Sequence, residues 1–381
     1  MSKKAIINAQ VVLETGIIWD GTLITEDEEI LAFGTDIEIP EDAEIIDAEG
    51  AYVGPGFVDI HVHGGDGCHT AVDPIPAAEH FLKHGETTIL ATPSYNFGFE
   101  RLIKGIRTVR ENLPKLRNVR GMYMEGPYKN AKYGSIEEVY DWDEKLTPEW
   151  FVPLVDEAGD LVKVWMVAPE REGIVEFLKY ARQVNPDVKI AIGHSHATPD
   201  MVRAMGSKYR PAILTHYGCA NPVLPPLSGG TRGSGVDEYG LQNPDVFCEM
   251  ISDSCAIHVQ AANQRLVVHS KGVERVVLIT DSTPDNEPNP EKYGNIKDLN
   301  FDKNGGLSGS KMTMDQACRN VMTHTNCGIA QAFIMASASP AKAIGMYDEI
   351  GSVEIGKKAD LVFVDDRFNV KKVMLRGELV Y

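Results

Sequence analysis

The sequence predicts an α/β protein: a (β/α)8 TIM barrel carrying a small β-sandwich domain formed from both chain ends. Three observations lead there. Across residues 54–345, eight short apolar runs of strand character alternate with segments rich in Ala, Leu, Glu, Lys and Arg, the alternation of a parallel sheet wrapped by helices. The two ends, 1–53 and 346–381, carry short strands and show no helical periodicity. Polar side chains able to bind metal stand at the C-terminal ends of most of the eight runs, the mouth where barrel proteins place their chemistry.

The elements follow in order. Ala5–Asn8, Gly16–Trp19, Glu29–Phe33 and Ala43–Asp47 read as strands joined by acidic turns. The barrel strands are expected at Phe57–His63, Thr87–Thr92, Val119–Glu125, Leu161–Ala168, Val188–His194, Ala212–His216, Val246–Ser252 and Val276–Asp281. Ile174–Val184 and Asp315–His324 are the clearest helices between them. Gly351–Asp360 returns the chain to the small domain, where Asp360–Asp365 and Val370–Leu375 add strands. An open doubly wound sheet is the competing arrangement; it is disfavoured because no Gly-x-Gly-x-x-Gly follows the first strand.

Bulk composition narrows the function. The chain has 381 residues, 43% hydrophobic and 24% charged, ample for a large core. Its 37 basic and 55 acidic residues leave a net charge of -18, which argues against a nucleic-acid partner. A phosphorylated small molecule remains compatible with that balance if a local pocket supplies donors. The six cysteines include no Cys-x-x-Cys pair and read as free thiols. The N-terminal stretch lacks a signal-peptide apolar core, and no apolar run reaches membrane-spanning length. A cytoplasmic protein without a membrane partner is expected.

The strand ends carry the chemistry. His61 and His63 lie two apart on one strand, so they share a face, and two converging imidazoles suit a divalent metal. The third strand ends in Glu125, the fifth in His194, the sixth in His216 and the eighth in Asp281. Glu170, after the fourth, is set aside. Singly, each has an ordinary explanation: a loop hydrogen bond for His194, a helix cap for His216 or Asp281, a turn for Glu125. Together, four imidazoles and two carboxylates exceed the needs of one four-coordinate ion, and two ions bridged by Glu125 account for the set. His69, His80, His84, His196, His269 and His324 fall on helices or beyond strand ends and are left out. His258, soon after the seventh strand, is a candidate for touching substrate.

Several motifs carry a resemblance: Gly54-Pro-Gly-Phe-Val-Asp-Ile-His-Val-His-Gly64, Met124-Glu-Gly-Pro127, Ala168-Pro-Glu170, Gly193-His-Ser-His-Ala-Thr198, Ile279-Thr-Asp281, Leu307-Ser-Gly-Ser310 followed by Met314, and Pro340-Ala-Lys-Ala-Ile-Gly345. Nearly the whole chain resembles the amidohydrolase superfamily, and within it the family that deacetylates N-acetylglucosamine 6-phosphate. The resemblance implies a homodimeric, metal-dependent hydrolase that releases acetate from an amino-sugar phosphate. It implies one or two ions, Zn2+ or Fe2+, per subunit. Glu125, His194 and His216 would hold the main ion, His61 and His63 a second, with Asp281 as the acid and base also facing the metal. His258 and the segment Leu307–Gly309, with Ser308, would line the sugar pocket, and Cys219 and Ala220 would lie on a substrate-binding segment after the sixth strand.

The match departs from the family on the substrate side. Tyr133-Gly-Ser-Ile-Glu-Glu138 lacks the family's substrate-touching His, and Cys219 stands where the family has a phosphate-binding Asn. A glycine-rich loop, 225–240, follows; its Arg232 is the candidate phosphate ligand, with backbone amides assisting. Two other readings compete: a different amidohydrolase, such as a cyclic amidase, or a barrel that only binds. Cyclic amidases use a carboxylated Lys at the end of the fourth strand, whereas Lys163 lies near its start. The full ligand set argues against the binding scaffold.

Overall fold

Eight parallel strands follow one another in chain order around one sheet: β1 (Phe57–Val62), β2 (Glu86–Ala91), β3 (Val119–Tyr128), β4 (Val162–Val167), β5 (Lys189–Ile192), β6 (Ile213–Leu214), β7 (Phe247–Met250) and β8 (Val276–Leu278). They belong to a computed structural model that describes residues 2–93, 97–134, 146–226, 228–284 and 287–381. A helix follows each strand: Pro74–Lys83, Phe99–Asn112, Pro148–Ala158, Ile174–Val184, Pro199–Ala204, Val236–Gln242, Ala261–Lys271 and Met314–Thr325. Most of the longer ones turn an apolar stripe to the sheet; Leu102, Ile103, Ile106 and Val109 are such a stripe, buried at helical spacing. This is the (β/α)8 barrel expected.

β8 meets β1 through their ends rather than along a full ladder. Asp281 N donates to His61 O at 3.0 Å, and His63 N donates to Ser282 O at 2.9 Å. Beneath these bonds the buried Asp59 carboxylate accepts from His61 N at 3.1 Å, from Thr280 N at 3.3 Å and from the Thr280 hydroxyl. A side chain thus supplies acceptors that a neighbouring strand would otherwise provide, and it does so at the foot of the metal-ligand positions.

The two chain ends join in a second sheet. Lys3–Leu13 pairs antiparallel with Gly16–Glu26, which pairs with Glu29–Gly34. The first half of Lys3–Leu13 also pairs in parallel with Glu44–Asp47, and its second half with Tyr52–Pro55. The switch falls where the register slips, around Asn8 with φ of 53°. Leu361–Val364, Val370–Leu375 and Glu378–Leu379 complete the sheet from the other end of the chain. It curls around its own core, including Ile6, Leu23, Val53, Leu361 and Phe363.

Tyr52–Pro55 was not expected, because Gly54-Pro55-Gly56 reads as a break. The glycines are there for space: a Cβ on Gly54 would sit 2.5 Å from the Phe333 ring, and one on Gly56 would sit 2.1 Å from Thr87 Oγ1. The chain passes from the outer sheet straight into β1 through a gap that admits no side chain. Of the barrel strands that are shorter than expected, three stop early for a related reason. His194, His216 and Asp281 have positive φ of 46°, 28° and 47°, so the ladder stops before them and each side chain is turned out of strand geometry. β3 runs longer, to Tyr128. A hairpin, Leu299–Phe301 with Leu307–Ser310, follows β8. Among the described residues no helix is long and apolar enough to cross a membrane.

Replacing Asp59 by Ala leaves buried donors of His61 and Thr280 without an acceptor. A loss of about 3 kcal/mol in unfolding free energy is expected, read by urea denaturation. An unchanged midpoint would show that the seam holds without this carboxylate.

Candidate metal centre

All six residues singled out at the strand ends meet at one mouth. They fall into two buried trios, His61 with His63 and Asp281, and Glu125 with His194 and His216. The trios are joined by Glu125. Its Oε1 lies 2.8 Å from His194 Nε2 and 3.0 Å from His216 Nε2, and its Oε2 lies 3.2 Å from His63 Nε2. Asp281 Oδ1 stands 3.2 Å from His63 Nε2 and 3.7 Å from His61 Nε2. Glu125 reaches the mouth because it lies two positions beyond the buried Tyr123 on the same strand, whereas Asp281 is turned there by its left-handed backbone.

The imidazoles share one orientation. Every Nδ1 faces outward to an acceptor: Glu249 Oε2 at 3.2 Å for His61, Thr92 O at 3.1 Å for His63, Tyr133 O at 2.8 Å for His194, and Cys219 O at 3.2 Å for His216. A ring that donates from Nδ1 presents a bare Nε2 lone pair inward. His194 Nε2 and His216 Nε2 lie 3.1 Å apart, and His61 Nε2 is buried with no hydrogen-bond partner among the described residues. Lone pairs so placed need a proton or a cation between them. Six N and O donors in two sets suit Zn2+ or another borderline divalent ion.

The surrounding charges and burial set the direction in which each group is pushed. Burial works against a charged His61 and His63, yet the carboxylates of Glu125, Glu249 and Asp281 outweigh it: His61 rises well above the usual range and His63 to about 9. His216 also rises, burial notwithstanding, through Glu125. His194 is pushed down to about 4 by burial and the nearby Lys129 ammonium. Burial would raise Glu125, but His194 and the other imidazoles hold it well below the carboxylate range. Asp281 is likewise low, its burial offset by His63 and His61.

The remaining site residues surround this mouth unevenly. Residues 216–220 form a tight turn: Cys219 N donates to His216 O at 2.9 Å, the Cys219 thiol donates to His258 O at 3.3 Å, and Ala220 has φ of 55°. Burial pushes that thiol far above its usual range. His258 Nδ1 faces Asp253 Oδ2 at 3.1 Å and its Nε2 faces Gly309 O at 3.1 Å, so the ring anchors the hairpin holding Leu307 and Ser308. That hairpin packs on Asp281 so closely that a Cβ at Gly309 would be 2.4 Å from Asp281 O. Arg232 lies farther out, its side chain 78% exposed and paired with Glu238 at 2.8 Å. Glu170 is a loop tie, accepting from Ser195, His196 and Asn130. Lys163 bonds Asp160 O near the start of β4, away from the mouth. His69 stands nearer than expected, its ring 6.3 Å from His63. Ser135–Glu138 and Leu227 lie outside the described residues. Glu249 was missed; a carboxylate inside the apolar run Val246-Phe-Cys-Glu-Met-Ile251 was the available signal.

Fold and mouth together define a barrel protein with two buried histidine–carboxylate sets, joined at Glu125, that could hold metal. The chain belongs to the amidohydrolase family, whose model matches residues 52–380. It is 28% identical over 352 residues to the N-acetylglucosamine-6-phosphate deacetylase of Vibrio furnissii, covering 86% of this chain and 82% of that one. The Haemophilus influenzae deacetylase of the same name is 27% identical over 99% of both chains. The N-acetylgalactosamine-6-phosphate deacetylase of Escherichia coli O157:H7 is 27% identical, covering 85% and 86%. Among solved structures, the N-acetylglucosamine-6-phosphate deacetylase of Pasteurella multocida superposes with a TM-score of 0.84 at 25% identity, over 99% of each chain. A Mycobacterium smegmatis deacetylase mutant in complex with N-acetyl-D-glucosamine 6-phosphate gives 0.80 at 25% identity, over the full length of both.

Metal uptake must displace protons. His63 is protonated below about 9, so acid strengthens the competitor and alkali weakens it. Zinc added to the stripped protein at pH 7 is expected to release at least about one proton per subunit, with apparent affinity rising from pH 6 to pH 8. An indicator dye in weak buffer reads the release; a pH-independent affinity would refute this protonation pattern.

Proposed function

We propose that this chain hydrolyses the acetamide of an N-acetylated amino-sugar phosphate, N-acetylglucosamine 6-phosphate first among them, giving acetate and the free amino sugar. One observation carries the reading: four Nε2 lone pairs and the Glu125 carboxylate converge beside Asp281, an acid that the hairpin holds in place. The names of the relatives support it. Glu125, His194 and His216 are assigned to the main ion, and His61 and His63 with Asp281 to a second. Zn2+ or Fe2+ bound there supplies Lewis acidity and an acidified water.

Asp281 is the proton carrier. Its low pKa keeps it ionised at neutral pH, ready to take the proton of the attacking water. It then returns that proton to the departing amine nitrogen. His61 O holds its backbone amide and Ser310 N donates to its carbonyl at 2.8 Å, so the carboxylate is fixed while the proton moves. Leu307, Ser308, Cys219, Ala220 and His258 are assigned to the sugar side. Arg232 is assigned to the phosphate and must exchange its Glu238 partner for it. The six unpaired cysteines fit a cytoplasmic enzyme, and the family resemblance supports a homodimer.

An acetate-release screen over N-acetylated hexosamines, with and without 6-phosphate, is expected to show turnover that depends on the phosphate. No release from any sugar would overturn the reading in favour of another amidohydrolase substrate. Asp281→Asn is expected to lower kcat at least about 1,000-fold while zinc stays bound at Glu125, His194 and His216, since the proton path is lost. A near-normal rate in that variant would remove Asp281 from its role.

A further inference from the structure

β7 supplies no member of either trio, yet Glu249 points from it into their midst. Its side chain is fully buried. One oxygen, Oε2, lies 3.2 Å from His61 Nδ1 and accepts from His216 N at 3.2 Å. The other, Oε1, is buried with no hydrogen-bond partner among the described residues. A carboxylate half-satisfied in a barrel core is costly, and such a group calls for an explanation beyond packing.

The partners supply one. The Nδ1 atoms of His63, His194 and His216 rest on backbone carbonyls, and that of His61 rests on a carboxylate. A carboxylate fixes the tautomer as a carbonyl does, and its charge also makes the ring a stronger donor at Nε2. His61 is held from its face as well, with the Tyr123 ring centroid 4.5 Å away. The same Glu249 oxygen holds the His216 amide at the point where that residue leaves β6 with φ of 28°.

We propose that Glu249 is a positioning residue that makes the His61–His63–Asp281 trio a tight ion site, so that the second ion is retained in the working enzyme. The inference rests on the metal-dependent reading above. His216 keeps a separate anchor in the Cys219 carbonyl, so the loss on removing Glu249 falls on the His61 side. Gln at 249 can hold both bonds through its amide oxygen and lacks only the charge; Leu lacks both.

The test titrates zinc into stripped full-length wild type, Glu249→Gln and Glu249→Leu against a chromophoric chelator. Melting midpoints of the stripped proteins report folding. Wild type is expected to take two ions per subunit. Glu249→Gln should hold the second about 10- to 100-fold more weakly, and Glu249→Leu should take one. Cobalt substitution should show the visible bands of one site surviving in the Leu variant. Wild-type affinity for both ions in the Gln variant would overturn the inference, as would a wild type that binds one ion or a variant that loses both equally. Acetate release by the wild type reports separately on the hydrolase reading.

Discussion

Mutual repulsion among inward lone pairs is the constraint from which this mouth is built. Each imidazole is pinned at Nδ1 by an acceptor behind it, so none can relieve the crowding by turning over. With the rings fixed, the space they face must hold positive charge. In the ion-free protein the neighbouring carboxylates favour that charge as protons, raising His61, His63 and His216 against the effect of burial. A divalent ion held there would take over that role, with the rings already oriented by their Nδ1 acceptors. His194 differs: burial and Lys129 keep it neutral to about pH 4, so its lone pair stays available whatever its neighbours carry.

The barrel is shaped around that need. His194, His216 and Asp281 each take a left-handed backbone conformation that costs of order 1 kcal/mol or more for a residue with a Cβ. Their ladders end early as a result. The strain is tolerated because the surrounding bonds over-determine each position: Glu249 holds the His216 amide, and His61 O holds that of Asp281. Asp59 belongs to the same scheme. By accepting from Thr280 and His61 it ties the strand that carries two ligands to the one that ends in Asp281, where ordinary pairing would leave no room for the mouth.

The order of elements and the ligand set were legible in the sequence because both depend on local pattern. Apolar runs of strand length alternate with amphipathic segments, and His61-Val62-His63 has a spacing that a strand converts directly into convergence. What stayed hidden depends on partners far apart in the chain. The strand Tyr52–Pro55 was masked by glycines whose purpose is clearance from Phe333 and Thr87. Glu249 is 188 positions from the His61 it orients, and nothing nearby marks its carboxylate as more than an oddity in an apolar run. The shortened strand ends follow from left-handed backbone at His194, His216 and Asp281; His and Asp adopt it more often than most residues, but residue type does not mark where it falls.

The same contrast explains why the metal mouth matches the family while the substrate side departs from it. Each ligand is tied to at least one other element: Glu125 touches three imidazoles, and moving any one disturbs the rest. Substitution there is punished at several contacts at once. Arg232 makes one exposed ion pair, worth about 1 kcal/mol at most, and Cys219 contributes to the ring of His216 only through its backbone carbonyl. A side chain bound by so little is free to change with the substrate. Cys219, where the resemblance places a phosphate-binding Asn, is therefore a change the fold accepts at little cost, and its consequence would fall on recognition while the proposed metal ligands and the role proposed for Asp281 are untouched.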